Sequence, residues 1–126
     1  MEKVTGIGGI FFKAQDPKGL AAWYAKNLGV PVEPDQSHGA FTSVDADEMT
    51  VWSTFAADSD YFGPGPSPFM INFRVSNLDA MLAQLRDAGV EVDPRVDDFE
   101  YGRFGWAVDP EGNRIELWEP AATDRD

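Results

Sequence analysis

Two rhythms of apolar residues take turns along this chain. Residues 7–14 are rich in Ile and Phe with imperfect alternation, the pattern of a buried strand. Asp16 and Pro17 then signal a helix, because Asp caps free backbone N–H groups and Pro suits the first helical position. Leu20, Trp23, Tyr24 and Leu28 recur at helical spacing and Gly29 closes the element, which predicts Trp23 as a core residue. The same order then returns. Ile71, Phe73 and Val75 alternate as a strand, Asn77 caps, Leu78, Met81, Leu82 and Leu85 form an apolar stripe, and Gly89 ends it. Shorter strand-like segments follow each helix, at about 30–34, 40–44 and 49–55 and again at about 90–94, 103–108 and 114–119. Each half therefore reads βαβββ. Asp109-Pro110-Glu111-Gly112 suits a tight turn between the last two strands, and Asp45 to Glu48 is its counterpart.

The halves also repeat residues. Gly29-Val30-Pro31-Val32-Glu33-Pro34 returns 60 positions later as Gly89-Val90-Glu91-Val92-Asp93-Pro94. A period this long in a chain this short implies two copies of one supersecondary unit. The copies span about 4–56 and 69–120 of a single domain, joined by a Gly/Pro-rich connector at about 57–68. Tyr61 and Phe62 in that connector either fold over a pocket or pack on the nearest surface.

Composition narrows the function. At 126 residues and 43% hydrophobic, the chain has enough apolar surface for one core. Its 10 basic and 22 acidic residues give a net charge of −12, which repels polyanions and excludes nucleic acid as a partner. An anionic membrane surface is disfavoured for the same reason. No apolar run reaches the roughly 18 residues of a membrane span, and no cationic-then-apolar leader opens the chain. Cysteine is absent, which excludes disulfides, thiolate metal sites and cysteine nucleophiles and fits a cytoplasmic location. The single His38 sits in a polar stretch and reads as a surface residue.

Alternation selects candidate site residues. If Ile71, Phe73 and Val75, Met49 and Val51, and Ile115 and Leu117 pack under the helices, the opposite face carries a second set. That set is Met70, Asn72 and Arg74, Thr50 and Trp52, and Glu116 and Trp118, with Gly9, Phe11 and Lys13 from the first strand and Phe104 and Trp106 from the hairpin. Trp52, Trp106 and Trp118 either fill a core or form walls that stack on a planar or cationic ligand. Glu116 pairs with Arg74 or Arg103, contacts a ligand, or acts as a general base. Asn72, Arg74 and Arg103 bind an anionic group or compensate Glu116.

The repeat, the closing Asp109-Pro110-Glu111-Gly112-Asn113-Arg114-Ile115-Glu116-Leu117-Trp118 and the preceding Tyr101 to Trp106 resemble the glyoxalase/bleomycin-resistance/extradiol-dioxygenase superfamily, also called vicinal oxygen chelate. The resemblance covers nearly the whole chain. It implies an α+β fold in which two βαβββ modules form a curved eight-stranded cup, and it implies a small-molecule site inside. It also implies a divalent metal in catalytic members, with ligands on the first and last strands of each half. Those positions fall here on Gly9, Met70, Thr50 and Glu116, so one carboxylate stands where several donors are needed. The expectation is therefore a small-molecule-binding protein without metal or other cofactor. Its predicted ligand-contact residues are Phe11, Thr50, Trp52, Met70, Asn72, Arg74, Arg103, Trp106, Glu116 and Trp118. The alternative is a glyoxalase-like lyase, isomerase or dioxygenase with unusual ligands or Glu116 as base. Fold relatives of this size commonly dimerise, and a homodimer is expected.

Overall fold

A computed structural model describes residues 1–42, 49–65 and 67–121. The fold is α+β, with eight strands in one open sheet and two helices. In chain order the elements are β1 (Val4–Ala14), α1 (Pro17–Leu28), β2 (His38–Thr42), β3 (Met49–Ala56), β4 (Phe69–Val75), α2 (Leu78–Asp87), β5 (Glu91–Val92), β6 (Asp97–Phe99), β7 (Gly102–Val108) and β8 (Arg114–Pro120).

The strand expected at 30–34 is reduced to a single bridge between Val32 and Gly39. Pro31 and Pro34 lack the N–H a ladder requires, which is why pairing stops there. The second half instead gains β6, a short acidic strand that its polarity concealed. The turn expected over Asp45 to Glu48 lies outside the described residues.

Internal contacts group the chain into two units, Gly8–Ile71 and Met1–Ile7 with Asn72–Asp126. The division falls within β1 and β4, not at the connector.

In the unit Gly8–Ile71, β3 runs antiparallel to β2 and parallel to β1, with Gly9 opposite Val51 and Ala14 opposite Ala56. Helix α1 is capped by Asp16, which accepts from the Gly19 amide at 3.1 Å, and ends at Gly29 in the left-handed conformation. Its packed face centres on the fully buried Ala21 and on Tyr24, whose ring lies 5.9 Å from Phe12 and 5.0 Å from Trp52. Trp23 is 53% exposed, contrary to the sequence expectation. It sits about 200° around the helix from Ala21, and ranking by hydrophobicity hides a small buried residue. On the other face of the sheet, Phe11 meets Phe55 at 5.4 Å. The connector closes over this face, with Tyr61 stacked on Phe55 and Phe62 buried beneath the Lys13 ammonium. The connector aromatics therefore pack on the nearest surface.

In the second unit, β4 lies parallel to β8, β8 antiparallel to β7, and β7 antiparallel to β5 and β6. Asn77 Oδ1 accepts from the Ala80 amide at 3.0 Å, and Glu119 Oε1 accepts from the Leu78 amide at 2.7 Å, so two side chains satisfy the start of α2. Leu78, Met81 and Leu82 pack on Val75 and Leu117, with Phe73 and Ile115 alongside. Gly105 permits this close approach, since a Cβ there would stand 3.1 Å from Leu82 Cδ1. At the hairpin, Asp109 Oδ1 accepts from the Glu111 and Asn113 amides, both at 2.9 Å, and Gly112 takes φ 87°. Residues Met1–Ile7 are tied to this unit by paired hydrogen bonds between the Glu2 backbone and Gln84 and by Thr5 Oγ1 donating to the Arg74 carbonyl.

Candidate functional site

β4 and β8 bring Asn72 and Glu116 into register as direct partners, and β7 places Trp106 opposite Glu116 on the other side. Because Glu116 alternates with Ile115 and Leu117, which are committed to α2, its side chain faces away from that helix. It is 1% exposed, as are Asn72 and Trp106. Asn72 Nδ2 donates to Glu116 Oε1 at 2.6 Å, and Trp106 Nε1 donates to Glu116 Oε2 at 2.9 Å. Each carboxylate oxygen thus accepts from a neutral N–H. Among the described residues, the Asn72 Oδ1 has no hydrogen-bond partner.

Beside this cluster runs an aromatic assembly. Trp118 stacks on Phe104 at 5.9 Å and 5°, and its indole N–H donates to the Tyr101 carbonyl at 3.1 Å. Phe104 meets Phe99 and Tyr101 edge-on, and those two stack on each other at 5.3 Å and 11°. Phe99 and Tyr101 are more than half exposed, whereas Trp118 is buried. The sequence reading named Trp118 as a site residue and missed Phe99 and Tyr101. Two aromatic pairs with one residue between members, Phe99 and Tyr101, then Phe104 and Trp106, would have been the signal.

The other candidates are placed as follows. Arg74 shares the Asn72 face, is buried, and donates from Nη1 to the Ile7 carbonyl at 2.8 Å. Arg103 does not join Glu116. It alternates with Phe104 and so faces α2, where it bonds Asp79 and Asp98 at 3.0 Å each. The hydrogen bond from Arg103, with its charge, holds the Asp79 carboxyl below the usual range, and Asp79 in turn raises Arg103. Trp52 also departs from expectation. It lies on the α1 face of its sheet, against Phe12 and Tyr24, together with Thr54, whose hydroxyl donates to the Pro17 carbonyl. Alternation puts Thr50 on that face too. Phe11 lies on the opposite face with Phe55, and Met70 is 1% exposed.

The residues present do not suit the divalent ion that the superfamily implies. Gly9 has no side-chain donor, Met70 offers only a thioether, and both oxygens of Glu116 already accept from N–H groups. Among the described residues, no three His, Asp or Glu side chains come together in a way that could hold an ion.

Comparison with known proteins places the chain. Residues 9–118 match the glyoxalase-like domain, so this protein belongs to the glyoxalase-like domain family. Solved structures of the same superfamily share its fold. Methylmalonyl-CoA epimerase from Mycobacterium tuberculosis is 25% identical with a TM-score of 0.63, over 94% of this chain and 90% of that one. A structure of the Streptomyces coelicolor methylmalonyl-CoA epimerase in complex with 2-nitronate-propionyl-CoA gives a TM-score of 0.74 at 20% identity, over 95% and 100%. A glyoxalase/bleomycin resistance protein/dioxygenase superfamily member from Vibrio splendidus 12B01 gives 0.58 at 12% identity, over 94% and 98%. No curated protein matches the chain. No described helix is long and apolar enough to cross a membrane.

Proposed function

We propose that this protein binds a planar small organic molecule on the aromatic assembly of its second unit and does so without a catalytic metal. The observation that carries the reading is the half-exposed Phe99–Tyr101 stack, backed by Phe104 and Trp118. Exposed aromatic faces in a fixed stack offer area without the entropy cost of ordering them. The metal-free part is supported by Glu116, whose two oxygens are already engaged by Asn72 and Trp106. The net charge of −12 favours a neutral or cationic compound over a polyanion such as the acyl-CoA found in the Streptomyces complex. The alternative, an epimerase- or lyase-like enzyme with Glu116 as base, requires that carboxylate to leave at least one of its two donors. We also place the protein in the cytoplasm as a homodimer. Ile10, Phe69 and Ile71 of the first unit are each more than 40% exposed and supply apolar area for a second copy.

Thermal-shift and calorimetric titration with a panel of planar neutral, cationic and anionic compounds tests the binding reading, alongside metal analysis of protein purified without chelators. Binding of planar compounds that is lost in Tyr101→Ala and Phe99→Ala supports it. Stoichiometric Zn, Ni, Mn or Fe that disappears with Glu116→Ala overturns the metal-free part, and a panel without any response overturns the binding part. Light scattering on a size-exclusion column checks the dimer.

A further inference from the structure

Trp23 is the ring that α1 leaves most open to solvent, at 53% exposure. Asp16, Gly19, Leu20 and Trp23 follow one another at i, i+3, i+4 and i+7, which puts them in one stripe along the helix. That stripe borders a cavity of about 570 Å³, which Tyr24 and the end of β1 at Ala14 complete. The volume lies within the range of small-molecule sites. The position of the Asp16 carboxylate is fixed by Gly19. Asp16 Oδ1 accepts from the Gly19 amide at 3.1 Å, and a Cβ on Gly19 would collide with Asp16 Oδ2. The carboxylate therefore lies over Gly19, within the stripe, and the missing side chain leaves it room. Asp16 is exposed, and among the described residues its Oδ2 accepts from no donor. Trp23 stands one turn beyond Gly19. Helical side chains lean toward the N-terminus, which directs its ring back over Gly19 toward that carboxylate. Tyr24 braces the ring at 5.2 Å and 76°, and no other ring among the described residues touches it.

We infer that this cavity binds a protonated amine with an apolar body, its ammonium group on Asp16 Oδ2 and its body against Leu20 and the Trp23 ring. Charge sets the sign of the ligand. Asp16 is the one charged residue in the lining. The neighbouring cations are turned elsewhere. Lys18 reaches Asp35 at 3.8 Å, and the Lys13 ammonium lies over the Phe62 ring on the other face of the sheet. Lys26 borders a separate hollow with Val32 and Pro34. The net charge of −12 draws a cation and repels an anion. The apolar body gains from covering an indole that otherwise stays wet. The cavity belongs to the unit Gly8–Ile71 and the Phe99–Tyr101 stack to the other, so this site does not depend on the binding proposed there.

The test uses proton–nitrogen correlation spectra of the full chain. The Trp23 Nε1–H signal is identified by its loss in Trp23→Phe, and the Trp118 Nε1–H signal, identified in the same way, reports on the other unit. Three probes are titrated: 2-phenylethylamine, protonated at neutral pH; 2-phenylethanol, of the same shape without the charge; and 3-phenylpropionate, of opposite charge. The amine should move the Trp23 signal along a saturating curve, with the alcohol weaker and the acid weakest. Asp16→Asn removes the charge and keeps an equally good helix cap. It should weaken the amine roughly twofold to fivefold and leave the alcohol unchanged. Trp23→Ala, read from the Gly19 amide, removes an exposed ring and should weaken amine and alcohol alike, roughly fivefold or more. A Trp23 signal that the amine does not move overturns the inference. So does equal affinity for amine and alcohol, or undiminished amine binding in Asp16→Asn. A Trp23 signal that moves on raising the protein concentration alone assigns this face to a second copy of the chain and overturns it too.

Discussion

Replacing Glu116 by Leu and, separately, by Gln tests whether the carboxylate is held as a structural acceptor. In Glu116→Leu, Asn72 Nδ2 and the Trp106 indole N–H both remain buried and both lose their acceptor. Each orphaned donor costs about 1–3 kcal/mol, so the variant should lose roughly 2–6 kcal/mol. Removing a buried charge often stabilises a protein when its partners are removed with it. Here the partners stay, so the desolvation cost of the donors dominates. Glu116→Gln behaves differently. Its oxygen still accepts from Trp106, and its amide N–H can donate to Asn72 Oδ1 once the Asn72 amide turns over. Among the described residues, that oxygen has no partner to give up. The exchange leaves a single orphaned atom, as before, and swaps charge-assisted bonds for neutral ones, a loss of about 2 kcal/mol or less. Urea unfolding followed by tryptophan fluorescence measures both. With a slope of about 2 kcal/mol per molar, the Leu variant should unfold about 1–3 M earlier and the Gln variant within about 1 M of the parent. If the two variants unfold at the same urea concentration, the donors do not depend on Glu116 and the reasoning fails.

Three other outcomes are expected. Trp52→Ala should cost about 3–5 kcal/mol in the same urea assay while leaving ligand titrations on the other unit unchanged, because its ring packs under α1. Asn77→Ala should cost about 1 kcal/mol by removing the cap on the Ala80 amide, measured as a drop in melting temperature. Asp109 is held below the ordinary Asp value of 3.8, first by the Asn113 amide, and Asp97 is lowered first by its hydrogen bond from Arg95. Folded values below unfolded ones mean that this stability is complete above the unfolded value and is lost as pH falls through the folded ones. Urea midpoints should therefore fall as pH drops from 4 toward 2, and Asp109→Asn should flatten part of that slope.

The order of strand, helix and hairpin was legible because turn chemistry and helical caps are local. Asp16, Asn77 and the Asp109–Gly112 turn act within four residues of themselves. Strand phase was legible only where one face is distinctly polar. In β8, Glu116 between Ile115 and Leu117 orients the strand without ambiguity. In β3, Met49, Val51, Trp52 and Phe55 put apolar groups on both faces, and choosing Met49 and Val51 for the helix side placed Trp52 on the wrong one. Arg103 was misplaced for a different reason. Alternation with Phe104 and Trp106 already sends it to the α2 side, but its charge suggested Glu116, and the carboxylates that hold it, Asp79 and Asp98, come from other elements. The Phe99–Tyr101 stack escaped notice because β6 is acidic and short.

The first seven residues belong with the carboxyl-terminal unit, held there through Gln84 and Arg74. During synthesis, therefore, residues 1–7 leave the ribosome well before the later segments that hold them. A gene cut at the Gly/Pro connector gives two fragments, neither with its full set of contacts. Mixing them should restore the fold by complementation, whereas a rearranged gene that joins residues 1–7 through a new linker to 72–121 should give a piece closer to self-sufficient. An affinity tag fused directly to Met1 would load the second unit, not the first.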